Sequence, residues 1–126
     1  MRLPATADLL APDGSEVRVL LSFAAGGMAH FSLAATQVSR AVRHRSVEEI
    51  WYVLSGAGEM WRSHGGHEEV LALCPGLCLT IPVGVRFQFR AADAGPLAVV
   101  AITMPPWPGD GEAEAVAGTW AATVGG

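Results

Sequence analysis

The sequence contains no lysine and few charges. Its eight basic residues are all arginines, they stand against twelve acidic residues, and the formal net charge is −4. Without a lysine, Schiff-base chemistry and a lysine general base are excluded. Nucleic-acid binding normally needs a basic surface, which this composition does not supply, so no nucleic-acid partner is expected.

Long apolar runs are also missing. No stretch reaches the roughly 18 residues that would indicate a membrane span, because the longest candidate, residues 17–35, is interrupted by Arg18, two glycines and His30. The first fourteen residues carry two prolines and two aspartates, which do not fit a signal peptide. We therefore expect a soluble, cytoplasmic protein without a membrane partner.

Cysteine is scarce. The only two, Cys74 and Cys78, lie in "LCPGLCL". They do not form a C-x-x-C pair and there is no second pair, which disfavours a zinc knuckle. We expect both to be buried, reduced thiols.

Short apolar segments separated by Gly, Pro and Asp fill most of the chain, and helical periodicity is almost absent. Many short strands at regular spacing predict an all-β sandwich or small barrel. "SHGGHEE" holds the Gly-Gly turn typical of a hairpin. We predict one domain over residues 1–126, with a barrel over about 15–104. Residues 105–126 form a short Pro/Gly-rich tail without strand alternation, held by Trp107 and Trp120.

Two segments resemble the motifs of the cupin superfamily, which are G-x5-H-x-H-x3–4-E-x6-G and G-x5-P-x-G-x2-H-x3-N. The residues that fit them, in order along the chain, are His44, Glu49, Gly56, Gly76, Pro82 and Gly84. The resemblance covers roughly residues 30 to 104. It implies a cupin-type antiparallel β-barrel, or jelly roll, with a ligand pocket inside. It also implies a homodimer, since small cupins commonly pair through their sheets.

The metal-binding part of these motifs is incomplete. The other histidine of the first motif falls on Val42, its leading glycine on Thr36, the histidine of the second motif on Phe87 and its closing asparagine on Ala91. Of the four residues that hold a divalent metal in typical members, His44 and Glu49 remain. Since a catalytic transition metal generally has at least three protein ligands, no metal cofactor is expected. If one binds, His44 and Glu49 would hold it, with Cys78, His30, Gln37 or Glu59 as possible substitute ligands.

Strand alternation predicts which side chains share a face. Arg40, Val42 and His44 have one parity, and Glu49, Trp51 and Val53 share another. With His44 and Glu49 turned inward, the expected pocket wall consists of Val42, Trp51, Val53, Phe87 and Phe89. A few polar groups converging on an apolar cavity describe a small-molecule site. The other histidines are expected to be structural and not ligands: His64 and His67 on a surface turn, and His30 as a strand residue.

Three functions remain open. The first is a metal-independent enzyme, an isomerase, cyclase or lyase, acting on an apolar or aromatic substrate. There His44 would be the acid or base, Glu49 its partner and Arg40 an anchor for a carboxylate or enolate. The second is a metal-dependent (Fe, Mn or Zn) oxygenase-type cupin with a rearranged ligand set. The third is a non-catalytic binding or sensing barrel.

Overall fold

The computed structural model describes residues 1–124, and its regular elements are all β-strands. The strands are β1 (Leu9–Leu10), β2 (Glu16–Phe23), β3 (Gly26–Leu33), β4 (Val42–His44), β5 (Glu48–Ser55), β6 (Gly58–His64), β7 (His67–Leu73), β8 (Cys78–Ile81), β9 (Arg86–Ala91), β10 (Leu97–Met104) and β11 (Ala113–Ala115). Among these residues no helix has the length and apolar character needed to cross a bilayer.

The strands form two antiparallel sheets. One has the order β1-β2-β3-β10-β5-β8 and the other β11-β4-β9-β6-β7. Strand alternation fixes their inner faces: every second residue of β10, from Leu97 to Thr103, is buried while the residues between are half-buried. Buried apolar side chains of both sheets form one core cluster. The predicted all-β jelly-roll barrel is confirmed.

Backbone conformation explains why the motif glycines are glycines. Gly56 has φ +83°, and a Cβ there would lie 2.1 Å from the Pro96 carbonyl oxygen, so only glycine fits. Thr36 occupies the position where the first motif has its leading glycine, and its φ is +69°. Thr36 is therefore a β-branched residue in the left-handed region, where its backbone is strained.

The C-terminal segment is more ordered than expected. It was expected to be a tail without strand alternation, but Ala113–Ala115 form β11, which pairs with β4 through Ala113–His44, Glu114–Arg43 and Ala115–Val42. Its two tryptophans do hold it in place: Trp107 packs on His44, and the Trp120 ring lies 4.0 Å from the Arg90 guanidinium carbon. The Gln88 side chain also accepts hydrogen bonds from the backbone of Thr119 and Trp120.

Both cysteines are exposed, so the expectation of buried thiols is wrong. Cys78 opens β8, where Leu79 and Ile81 are buried and the alternate residues are exposed. The strand therefore turns Cys78 outward. Cys74 precedes the Pro75-Gly76 turn, which leaves it at the surface as well.

Candidate functional site

A cavity of about 280 Å³ opens between the two sheets at one end of the barrel. Its walls are mostly apolar and come from both sheets and from the segment that follows β10. The apolar side chains that surround it include Val17, Phe31, Val42, Trp51, Phe87 and Trp107. A handful of polar side chains reach it, namely Asp13, Ser22, His44, Glu49 and Thr103. This is the composition expected of a small-molecule pocket.

His44 and Glu49 meet inside this cavity. His44 is the last residue of β4 and Glu49 the second residue of β5, so a short turn brings both inward. Their closest atoms, His44 Nδ1 and Glu49 Oε1, are 3.9 Å apart. This is too long for a hydrogen bond, and the buried His44 Nδ1 has no hydrogen-bond partner. The pair therefore keeps hydrogen-bonding capacity that a ligand can use.

Glu49 is an unusually placed carboxyl group, only 3% exposed. Burial raises its pKa to about 7, and the nearby Asp13 carboxylate adds to the rise. A hydrogen bond from Trp51 Nε1 to Glu49 Oε1, 3.2 Å long, opposes the shift. Glu49 therefore changes protonation state near neutral pH, in the range that suits acid–base chemistry.

The imidazole of His44 is enclosed by aromatic rings. The rings of Phe87 and Trp107 stand edge-on to it, with centroids 5.3 and 5.0 Å away. Burial lowers its pKa, while the Glu112 carboxylate and a hydrogen bond to the Val47 backbone oppose the shift. The His44 imidazole is therefore uncharged at neutral pH and can accept a proton.

The turn between His44 and Glu49 is fixed by Glu112, which the sequence reasoning missed. Its carboxylate accepts hydrogen bonds from Ser46 N (2.7 Å), Ser46 Oγ (2.9 Å) and Val47 N (2.6 Å). Burial alone would raise the pKa of Glu112, but these hydrogen bonds outweigh it and the pKa is lowered. Nothing in the local sequence "GEAEA" signals this role, because the partner turn lies more than sixty residues earlier.

The structure divides the residues that the sequence proposed for the site. His44, Glu49, Val42, Trp51 and Phe87 line the cavity. The other three, Arg40, Val53 and Phe89, do not.

Val53 and Phe89 lie in the packed core without bordering the cavity, and Phe89 stands edge-on to Trp51 at 5.0 Å. Val42, Trp51 and Phe87 belong to the same core and also border the cavity. Parity correctly placed Val53 and Phe89 on the inner face, but it carries no information about depth. Arg40 is half-buried outside the cavity wall, and its Nη1 donates a 3.2 Å hydrogen bond to the Pro12 carbonyl. An anchoring role for Arg40 is therefore not supported by its position.

Several cavity residues lay outside the sequence prediction. Thr103 could have been found, because it shares the inward parity of the other buried residues of β10. Asp13 could not, since it precedes the long strands and has no alternation to follow. It is buried, and its Oδ1 accepts hydrogen bonds from Ser15 N (3.0 Å) and Ser15 Oγ (2.6 Å). Trp107 belongs to the segment that was predicted to be a tail.

The donor set does not fit the metal that cupin motifs usually hold. Val42 and Phe87, which stand at the two missing histidine positions, are paired directly across β4 and β9. One side of the site is thereby apolar. Residues 1–124 contain no group of three or more His, Cys, Asp or Glu side chains arranged to hold a metal ion.

The four substitute ligands lie elsewhere. Cys78 is exposed and His30 alternates with the cavity residue Phe31 on β3. Glu59 bonds Arg90, and the Gln37 side chain accepts a hydrogen bond from the Ala34 backbone. None of the four lines the cavity.

Comparison with known proteins finds similarity to cupins in three-dimensional structure and not in sequence. No protein-family model matches the chain, and no curated protein matches it in sequence. A conserved protein with a double-stranded β-helix domain from Klebsiella pneumoniae superposes with a TM-score of 0.68 at 17% identity, over 86% of this chain and 89% of that one. The chain has the cupin fold.

Two further solved structures are similar to this chain in fold. PAC13 from Streptomyces, determined as a variant with uridine, has a TM-score of 0.70 at 13% identity, with 92% of this chain and 90% of that one covered. Oxalate decarboxylase from Bacillus subtilis has a TM-score of 0.73 at 12% identity, and the match covers 85% of this chain but 29% of the larger enzyme. At these identities the likeness concerns the fold.

Proposed function

We propose that this chain is a small-molecule-binding cupin that works as a metal-independent acid–base enzyme, of the isomerase, cyclase or lyase type. The observation that carries the proposal is the buried His44–Glu49 pair in a mostly apolar cavity, with Nδ1 of His44 unpartnered. Burying polar groups without partners costs free energy, so the arrangement is best explained by a ligand that completes it. The uridine in PAC13 and the activity named for oxalate decarboxylase support a small-molecule site in this fold.

His44 and Glu49 take different roles because their protonation states at neutral pH differ. His44, neutral at pH 7, accepts a proton from a carbon or oxygen of the substrate. Glu49, with a pKa of about 7, is half protonated there and can deliver a proton to a second atom or to a leaving group. Because the two side chains are 3.9 Å apart, both reach one small substrate. The apolar wall of Val42, Trp51 and Phe87 excludes water and holds the apolar part of that substrate.

The proposal is tested by hydrogen exchange at carbon. Protein purified without added metal is incubated in D2O with a panel of apolar and aromatic compounds that carry an acidic C–H, and deuterium uptake is followed by NMR. A general acid or base contributes about 10²–10⁴-fold in rate, so His44→Asn and Glu49→Gln should each lower exchange by about that factor. His67→Asn, a change at an exposed histidine on the β6–β7 turn, is the matched control.

Three outcomes would contradict the proposal. Exchange at the wild-type rate in both variants would show that His44 and Glu49 do not carry out the proton transfer. A metal bound in stoichiometric amount by the wild type, lost in His44→Ala and required for turnover, would establish the metal-dependent alternative. Ligand binding without exchange for any compound would favour the non-catalytic barrel.

We also propose that two copies associate through the outer face of the six-stranded sheet. Ile50, Tyr52 and Leu54, on the outward side of β5, are 44%, 49% and 43% exposed. Contiguous exposed apolar side chains of this kind mark interaction surfaces. Sedimentation analysis should show a dimer that Tyr52→Glu converts to a monomer, and a wild-type monomer would overturn the proposal.

A further inference from the structure

Thr103 is the neighbour of Glu49 across the sheet. The two residues are paired directly on β10 and β5, and they are 4% and 3% exposed. Residues that face each other in this way hold their Cβ atoms about 4.5–5.5 Å apart. On its other side Glu49 is paired with Ile81 of β8, whose side chain offers no hydrogen bond. Since Glu49 and Thr103 both line the cavity, a carboxyl group and a hydroxyl group meet a ligand there side by side.

The two carboxyl oxygens of Glu49 have different surroundings. Oε1 accepts the 3.2 Å hydrogen bond from Trp51 Nε1, and within residues 1–124 no other side chain donates a hydrogen bond to Glu49. Because Oε1 already accepts an N–H, the proton of the neutral carboxyl group is better placed on Oε2. Glu49 can therefore donate a proton to a ligand oxygen while it keeps the bond from Trp51, which acts as a positioning residue.

The side chains that line the cavity suit a ligand without formal charge. Within residues 1–124 no arginine lines it, and the chain has no lysine, so a carboxylate or phosphate group would be buried without a cation. The second carboxyl group, Asp13, already accepts two hydrogen bonds from Ser15 and is acted on by the charge of the Arg40 guanidinium. Asp13 is therefore not the free counter-charge that a cationic ligand would need.

We propose that the substrate is an uncharged ketone or aldehyde with an acidic C–H next to its carbonyl group, and that Glu49 and Thr103 bind the carbonyl oxygen. The assignment rests on the proposed acid–base function and specifies its substrate class. It also adds Thr103 to the residues that touch the substrate.

The proton transfers balance within the site. The unpartnered Nδ1 of His44 takes a proton from the carbon next to the carbonyl group, and the C–H electron pair becomes a C=C bond. The carbonyl π electrons move to the oxygen, which takes the proton from Glu49 Oε2, so the bound intermediate is a neutral enol. While negative charge develops on that oxygen, the Thr103 hydroxyl donates a hydrogen bond to it.

The same step leaves an imidazolium and a carboxylate. Their nearest atoms, His44 Nδ1 and Glu49 Oε1, are 3.9 Å apart, which is within the distance of an ion pair. The geometry is therefore too long for a hydrogen bond between the neutral groups and suited to the charged pair that the reaction creates. Return of the proton from His44 to a carbon of the enol, and of the oxygen proton to Glu49, completes exchange or isomerisation.

Three probes of similar shape test the substrate class: 2-indanone, indane-2-carboxylate and protonated 2-aminoindane. Trp51 and Trp107 line the cavity, so quenching of tryptophan fluorescence reports binding. At pH 7, 2-indanone should bind about tenfold more tightly than either charged probe, because the charged probes lose hydration without gaining a counter-charge. Deuterium uptake at carbon, measured over the rate without protein, should be found among the uncharged ketones and aldehydes of the panel.

The outcomes separate this assignment from the proposed function. Tighter binding of either charged probe, or exchange confined to compounds that are not uncharged ketones or aldehydes, would overturn the substrate class and leave the acid–base function intact. Absence of exchange for every compound of the panel would overturn both.

Thr103→Val removes the hydroxyl group and keeps the branched shape of the side chain. Because charge on the oxygen develops in the transition state, kcat for the most active ketone should fall about tenfold or more while KM changes less than about threefold. Thr103→Ser restores the hydroxyl group and should recover most of the rate. Thr80→Val, at an exposed threonine of β8 outside this cavity, is the control and should change neither constant. A wild-type kcat in Thr103→Val would exclude Thr103 from the oxygen site, and the order of the wild-type probes decides the substrate class even if that variant fails to fold.

Discussion

The two ends of the barrel are built from the same strands but differ in purpose. β5 contributes Val53 to the packed core at one end and Glu49 to the cavity at the other, and β9 likewise contributes Phe89 and Phe87. The closed end consists of apolar side chains in mutual contact, which stabilises the fold. The open end holds a buried carboxyl group and an unpartnered imidazole, both of which cost stability. Stability and function are therefore separated by two residues along β9, between Phe87 and Phe89, and by four along β5, between Glu49 and Val53.

The largest effect should come from paired truncations of β9. Phe89→Ala removes a ring that packs in the core against Trp51, and we expect a loss of about 3–5 kcal/mol in the free energy of unfolding. Phe87→Ala removes a ring that already borders the cavity, where water can enter the added space. Its loss should be smaller, about 1–3 kcal/mol, but it should weaken ligand binding more.

Urea unfolding of both variants, with the deuterium-exchange assay of the proposed function beside it, measures the comparison. Both side chains are 1% exposed, so burial alone predicts equal losses. Equal losses in stability, with equal effects on binding, would show that the two ends are not distinct and would contradict the assignment of Phe87 to the site.

A second effect concerns pH. The folded-state pKa of Glu49 is raised from 4.5 to about 7, so between these values the folded protein holds a proton that the unfolded chain releases. Stability from this group is therefore full below pH 4.5 and falls as pH rises to about 7, by up to roughly 3 kcal/mol. Glu49→Gln removes this loss, so the variant should be more stable than the wild type at pH 8 and about equal at pH 4.

Thermal or urea unfolding at pH 4, 6 and 8 checks this expectation. Glu48→Gln, the exposed neighbour on the same strand, is the control and should leave the pH dependence of the wild type unchanged. A Glu49→Gln variant that is less stable than the wild type at pH 8 would mean that the carboxylate stabilises the fold, and would contradict its description as a costly functional group.

The sequence predicted the barrel and its inner faces because both are local properties. Alternation identified Trp51, Phe87 and Phe89 as inward, and motif glycines such as Gly56 occupy turns that only glycine can adopt. The depth of each inward side chain within the barrel was not predictable, since it depends on where the two sheets close. Asp13 and Glu112 reach the site through contacts that are distant in sequence and follow no period, so no pattern in the chain could have located them.

The closed end also contains one feature that opposes its stability. Thr36 lies in the loop beside this end, where its backbone N donates a 3.1 Å hydrogen bond to the Ala92 carbonyl, and its φ is +69°. A left-handed conformation costs an ordinary residue about 1–2 kcal/mol, while glycine loses more chain entropy on folding, about 0.5–1 kcal/mol. Thr36→Gly should therefore stabilise the protein by about 0.5–1 kcal/mol.

The matched variant Thr36→Ala keeps a Cβ and should gain little, so a difference between the two substitutions isolates the backbone strain. Ligand binding should be unchanged in both, because Thr36 does not line the cavity. A Thr36→Gly protein that unfolds at lower urea concentration than the wild type would show that the exposed threonine side chain stabilises this loop by more than its backbone strain costs. The departure from the motif glycine would then be a stabilising feature of the closed end.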